Sequence, residues 1–179
     1  MTEIGQPEPV DLIELWPREY PDFSVWLAEH IDYLSEALGI KLSVTHDPNL
    51  GGAVYKPPFY IDIVATDDDG NTVIVENQFG LTDHTHLGQV ITYLTILDAK
   101  RAIWVVERAR PEHKKAINWL NEVTPKDTKF YLVTLKAHRI GDSPPALAFN
   151  VESGPSEEAK EWGKRKKFFL DSGAKQGKR

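Results

Sequence analysis

The sequence predicts an α/β domain in which a mixed central β-sheet is flanked by helices, and three observations carry that prediction. Apolar runs rich in β-branched residues recur at 60–65, 72–78, 102–107 and 129–135, with the length and composition of sheet strands. Apolar residues at helical spacing mark 23–38, 82–97 and 111–123. The runs at 60–65 and 72–78 are joined by Asp67-Asp68-Asp69-Gly70-Asn71, a turn signal that makes them a hairpin. The element order is therefore α-β-β-β-α-β-α-β.

Residues 1–20, rich in Pro and acids, read as an irregular lead-in. An amphipathic helix follows on Phe23, Leu27, Ile31, Leu34 and Leu38, with Gly39 as its stop. A strand at 40–45 precedes the turn-rich Asp47-Pro48-Asn49-Leu50-Gly51-Gly52. After the hairpin, a helix from Thr82 or Asp83 to Leu97 presents Leu87, Val90, Ile91, Leu94 and Leu97 on one face. Pro111 opens the next helix from its first turn, and a last strand fits 146–151. Trp104 and Trp119 read as core. Residues 21–152 make one domain, and Ser153-Gly154-Pro155-Ser156 opens a charged tail over 153–179.

A chain of 179 residues suits a single domain with a full core. It has no cysteine, which excludes disulfides and thiolate metal sites. No apolar run reaches the roughly 20 residues that span a bilayer, and residues 1–6 lack the basic and apolar regions of a secretory signal. A cytoplasmic protein without a membrane partner is expected. The net charge of −6 conceals a division: residues 160–179 hold eight basic and two acidic residues, a net of +6, which leaves −12 on residues 1–159. The basic end reads as a nucleic-acid contact, as a solvated, disordered end, or as one folding back onto the acidic body.

The chemistry concentrates between Tyr60 and Tyr93. Asp62 and Glu76 interrupt apolar strand sequences, where an unpartnered carboxylate is costly. The two-residue strand period puts Glu76 and Gln78 on one face, and closure of the hairpin around 67–71 brings Asp62 and Glu76 to the same end of neighbouring strands. Two carboxylates, the main-chain carbonyl of Asn77 and waters suit Mg²⁺ or Mn²⁺. Each carboxylate taken alone is equally compatible with an Arg or Lys partner, or with an exposed strand end. Asp67 to Asn71 lacks the spacing and bidentate Glu of a calcium loop and reads as a turn. His84 and His86, two apart, point to different helix faces, so a joint zinc site is not expected. Near the helix start, His84 fits either a phosphate contact or a plain capping-region role.

This arrangement resembles the PD-(D/E)xK nuclease superfamily, whose pattern is an acid on one hairpin strand, Asp/Glu-x-Lys on the next, and often a further Glu on a preceding helix. Asp62 matches the first acid, Glu76-Asn77-Gln78 the second element and Glu36 the helical Glu. Gln89-Val90-Ile91-Thr92-Tyr93 matches the Gln-x-x-x-Tyr motif of the RecB-like branch. The phrase from Val75 to Gln89 is also similar to the nuclease-like domain found beside DUF4268 regions in prokaryotic proteins. The resemblance covers roughly residues 20–140.

It implies a restriction-endonuclease-like fold and metal-dependent phosphodiester hydrolysis, of DNA before RNA, in defence or DNA processing, with a homodimer compatible. Asp62 and Glu76 would hold Mg²⁺ or Mn²⁺, which polarises the scissile phosphate and activates water. Glu36 would complete the ligand set, though its flank position on the helix equally fits a surface role. Gln89 would position a phosphate or metal-bound water with Tyr93 packing beside it, though the two, at i and i+4, also fit a plain core-edge hydrogen bond. The family lysine is replaced by Gln78, a neutral amide that can orient a water but supplies no charge. Three consequences stay open: slower chemistry, a substitute cation such as Lys100, or a module that binds DNA or a protein partner without cutting.

Overall fold

The computed structural model describes residues 4–45 and 59–156. Its elements are β1 (Glu8–Val10), α1 (Leu12–Leu15), α2 (Ser24–Glu29), α3 (Asp32–Leu38), β2 (Ser43–Val44), β3 (Ile63–Thr66), β4 (Thr72–Leu81), α4 (His84–Ile96), β5 (Arg101–Arg108), α5 (Pro111–Val123), β6 (Lys129–Arg139) and β7 (Ala146–Ser153). The seven strands form one sheet in the order β1-β6-β5-β4-β3-β2, with β7 also paired to β6. The sheet is mixed and flanked by helices, as the sequence predicts. β3 and β4 form the antiparallel hairpin, and β4, β5 and β6 run parallel through helical crossovers.

Strand alternation divides the core into two layers. Val73, Val75, Ile103, Val105, Val133 and Leu135 face one side, where Leu12, Trp16, Phe23, Leu27 and Leu34 cover them. Ile74, Ala102, Trp104, Val106 and Leu132 face the other, beneath Val90, Tyr93 and Leu94 of α4 and Ile117 of α5. The Asp67 to Asn71 turn closes on itself: Asp67 Oδ1 accepts from the Asn71 N–H at 2.9 Å, and Gly70 takes the left-handed φ of +77°. Asp67 then forms a buried ion pair with Arg101 Nε at 2.7 Å.

Four expectations are corrected. The lead-in contributes β1 to the sheet and Val10, Leu12 and Trp16 to the core, because three spaced apolar side chains outweigh the surrounding Pro and acids. The single helix over 23–38 is broken at His30. There the His30 ring stacks on Trp26 and its Nδ1 meets the Trp26 carbonyl at 2.9 Å, a local contact that competes with helix continuation. Gly39, at φ 64°, supplies the stop. The strand over 40–45 is reduced to two paired residues. Trp119 is 56% exposed, whereas Trp104 is fully buried. The turn-rich 47–52 segment and the tail from 157 lie outside the described residues.

Candidate metal and phosphate site

β4 outruns β3. The last register pair is Ile63 with Val75, so the N–H groups of Asn77 and Phe79, which share an edge by strand period, have no β3 partner. Side chains take them instead. Asp62 Oδ2 accepts the Asn77 N–H at 2.8 Å, and Glu19 Oε2 accepts the Phe79 N–H. Asp62 Oδ1 also accepts from Ser24 Oγ at 3.2 Å, and the Asn77 amide donates to the same hydroxyl at 2.9 Å. On the opposite edge of β4, the Gly80 N–H reaches Glu107 Oε2 at 2.8 Å. Gly80 sits at φ +77° where the β4–β5 register shifts, a conformation that favours glycine.

Near this unfilled sheet edge, Glu19, Asp62 and Glu76 act on one another electrostatically. Burial pushes the Glu76 carboxyl up to about 9, and the charges of Asp62 and Glu19 push the same way. Burial raises Asp62 to about 6; the Asn77 N–H opposes this, Glu19 adds to it, and Ser24 and His86 oppose it. Asp62 keeps some surface exposure as a residue, although its carboxyl is packed among Ser24 and the β4 backbone. Glu19 is also raised by burial, against the Phe79 N–H and His86. Each direction reports a site where negative charge is disfavoured.

Glu76 and Gln78 lie on the α4 side of β4, and both are nearly fully buried. Glu76 Oε2, Gln78 Oε1, Asn77 Oδ1 and Gln89 Oε1 are buried acceptors with no hydrogen-bond partner, an arrangement folded proteins avoid. The Gln78 amide nitrogen is fully engaged: it donates to the Leu81 carbonyl at 3.0 Å and to Asp83 Oδ2 at 2.8 Å. What Gln78 leaves free is an oxygen, where lysine would leave a charge.

Among the other candidates, Gln89 donates to the Tyr93 hydroxyl at 3.2 Å, one turn along α4, and Tyr93 is buried against Phe59. His84 begins α4 and is exposed, with its Nδ1 at 2.8 Å from Nε2 of the buried His113. Glu36 is not brought to this group. It is exposed on α3, and the acid that acts on Asp62 and Glu76 is Glu19, from the segment read as a lead-in. Glu19 precedes the amphipathic helix rather than lying on it, so helical spacing could not find it. Lys100 lies beside the start of β4, its N–H on the Thr72 carbonyl and its ammonium facing Asp98 and Asp127. Gln78 is at the other end of the strand, so Lys100 is no substitute cation there.

The residues present fit a hard divalent ion. Two carboxylates held above their ordinary range, with the unpartnered Gln78 Oε1 and Gln89 Oε1 on the α4 side of β4, are oxygen donors of the kind Mg²⁺ and Mn²⁺ take. Asn77 Oδ1, by contrast, belongs to the opposite side with Ser24. Among the described residues no three His, Asp or Glu side chains are grouped to hold an ion, so neutral oxygens and waters would complete the shell, as Mg²⁺ prefers. No helix among the described residues is long and apolar enough to cross a membrane.

The sequence matches no protein-family model and no curated protein. Among solved structures, the fold is similar to a repair endonuclease from Pyrococcus abyssi, with 18% identity and a TM-score of 0.45. That likeness covers 57% of this chain and 45% of the other, so the chain spans less than half of that endonuclease's length. It is also similar to a protein of unknown function from Silicibacter pomeroyi, with 10% identity and a TM-score of 0.27 over 79% and 80% of the two chains. Both superpositions are weak.

Proposed function

We propose that the protein is a metal-dependent nuclease that hydrolyses DNA phosphodiester bonds with Mg²⁺ or Mn²⁺. The observation that carries this reading is the buried, unpartnered Glu76 carboxylate oxygen beside Asp62, with both carboxyls displaced toward their protonated forms. A structural role would pair such acids with Arg or Lys; here their partners are N–H groups, a hydroxyl and other acids. In this reading Asp62 and Glu76 hold the ion, joined by the Asn77 carbonyl. The chemistry such an ion supplies is phosphate polarisation and water activation. Gln78 Oε1 and Gln89 Oε1 accept hydrogen bonds from ordered water, Tyr93 fixes the Gln89 amide, and exposed His84 at the start of α4 contacts a phosphate. The basic residues after 160 add backbone affinity.

One observation favours a second reading, binding without cleavage: the Gln78 amide brings no charge and both its N–H groups are used. Incubation of duplex and single-stranded DNA with the protein across a Mn²⁺ titration separates the two. Product formation that Glu76→Ala abolishes supports the nuclease; DNA binding without product at every Mn²⁺ concentration supports the second reading.

A further inference from the structure

We infer that His86 is the proton acceptor for the attacking water, doing from α4 what the residue at position 78 does not do from β4. The inference rests on the nuclease reading above and goes beyond it by naming a residue outside the family pattern.

Three features of the structure converge on His86. Asp83, the N-cap of α4, binds it twice: Oδ1 accepts the His86 N–H at 2.8 Å, and the two carboxylate oxygens lie 2.9 and 3.0 Å from Nδ1. A carboxylate on Nδ1 fixes the tautomer with its proton there and leaves Nε2 as a lone pair, the arrangement a base requires. Nε2 has no protein partner among the described residues. The same Asp83 accepts from Gln78 Nε2, so the position where the family places lysine is tied through one carboxylate to this imidazole. Finally, the charge of His86 acts on both Glu19 and Asp62, so the imidazole that Asp83 holds lies within electrostatic range of these acids. The acids that face it are Asp83, Glu19 and Asp62, and Gly88 leaves open space one turn-half further along α4.

In the step, the water oxygen forms a bond to phosphorus and the bond from phosphorus to the leaving sugar oxygen breaks. The water proton passes to His86 Nε2, the leaving oxygen takes a proton from solvent water, and His86 returns its own to solvent. Asp83 is a positioning residue: it sets the tautomer and never meets the substrate.

The test uses the full chain with Mg²⁺ and a duplex DNA substrate. His86→Ala is expected to lower kcat about 10²-fold or more, with KM for DNA and the Mg²⁺ affinity within about twofold of the original. Free imidazole should restore cleavage at least tenfold, and His86→Gln should lose cleavage without rescue. Imidazole ¹⁵N shifts in the metal-free protein, a readout independent of cleavage, should show the Nδ1–H tautomer, and Asp83→Asn should change it. Retained cleavage by His86→Ala while Glu76→Ala is inactive overturns His86 and leaves the nuclease reading standing. Loss without imidazole rescue, or an Nε2–H tautomer in the unsubstituted protein, also overturns it. A protein that cleaves no DNA at any Mg²⁺ or Mn²⁺ concentration overturns the nuclease reading and this inference together.

Discussion

Asp62 Oδ2 lies 2.8 Å from the Asn77 backbone nitrogen, so the acid nearest the strand end also completes the edge that β3 leaves unpaired. Two roles meet in one side chain, and substitution separates them. Asp62→Asn keeps an oxygen for the Asn77 N–H but loses a ligand charge. Asp62→Ala also strands the N–H, which costs about 1–3 kcal/mol, offset in part by removal of a disfavoured buried charge. Both variants should lose metal-dependent cleavage in a gel assay, and Asp62→Asn should melt close to the original. Undiminished cleavage by either variant counts against Asp62 as a ligand.

Glu76 should make the metal-free protein less stable as pH rises. Its folded carboxyl titrates at about 9, against an ordinary value of 4.5, so the folded state binds more protons across that interval. Its favourable contribution is complete below about pH 4.5, shrinks as pH rises, and is gone above about 9. At pH 7 the accumulated cost is about 3 kcal/mol. Glu76→Gln, measured in a chelator, should therefore melt higher than the unsubstituted protein at pH 8 and close to it at pH 4.5. An equal or lower melting temperature at pH 8 would show that the carboxyl is not held protonated.

Metal binding should release protons, for the same reason. At pH 7 Glu76 is protonated and Asp62, near 6, is mostly ionised; an ion that takes both as carboxylates displaces about one proton. Calorimetric titration of Mn²⁺ in two buffers of different ionisation enthalpy reads that number directly. Release should approach zero above about pH 9. No difference between buffers at pH 7 would rule out Glu76 as a ligand.

The hairpin and Glu76 were legible because a charge inside an apolar strand is conspicuous and the Asp-rich turn fixes the pairing. Asp62, expected within the strand over 60–65, instead lies just before β3, which begins at Ile63. The two-residue period placed Glu76 with Gln78, and the four-residue spacing of the Gln-x-x-x-Tyr motif placed Gln89 near Tyr93 on the helix. Glu19 was not legible: its contact with the Phe79 N–H joins residues 60 apart in sequence, and it exists only because β3 begins too late to pair that part of β4. The family resemblance pointed to Glu36 instead, which stays in solvent. The Gln78–Asp83–His86 chain was hidden similarly, since a cap residue looks the same in sequence whether or not its second oxygen holds a neighbouring strand.

That contrast between acids is itself a test. Glu36→Ala should leave cleavage unchanged and stability within about 0.5 kcal/mol, as expected of an exposed substitution. Glu19→Gln removes a charge that acts on Asp62 and Glu76 while keeping an acceptor for the Phe79 N–H. It should weaken Mn²⁺ affinity with little loss of stability. The opposite ranking, with Glu36→Ala inactive and Glu19→Gln normal, would return the helical acid to its family position.

The Asp67–Arg101 pair, by contrast, should matter for folding alone. Its side chains are 2% and 10% exposed, and Asp67 also accepts from the Asn71 N–H and side-chain amide. It lies at the turn end of β4, away from Gln78. Asp67→Ala strands a buried guanidinium and unties the hairpin turn, a loss of about 3–5 kcal/mol. Urea denaturation should show the unfolding free energy fall by that amount, with a correspondingly lower midpoint. Any protein still folded should bind Mn²⁺ with its original affinity, because the turn reaches the acids only through the length of the strand. A Mn²⁺ affinity that falls in step with stability would instead mean that hairpin closure and the metal site form as one unit.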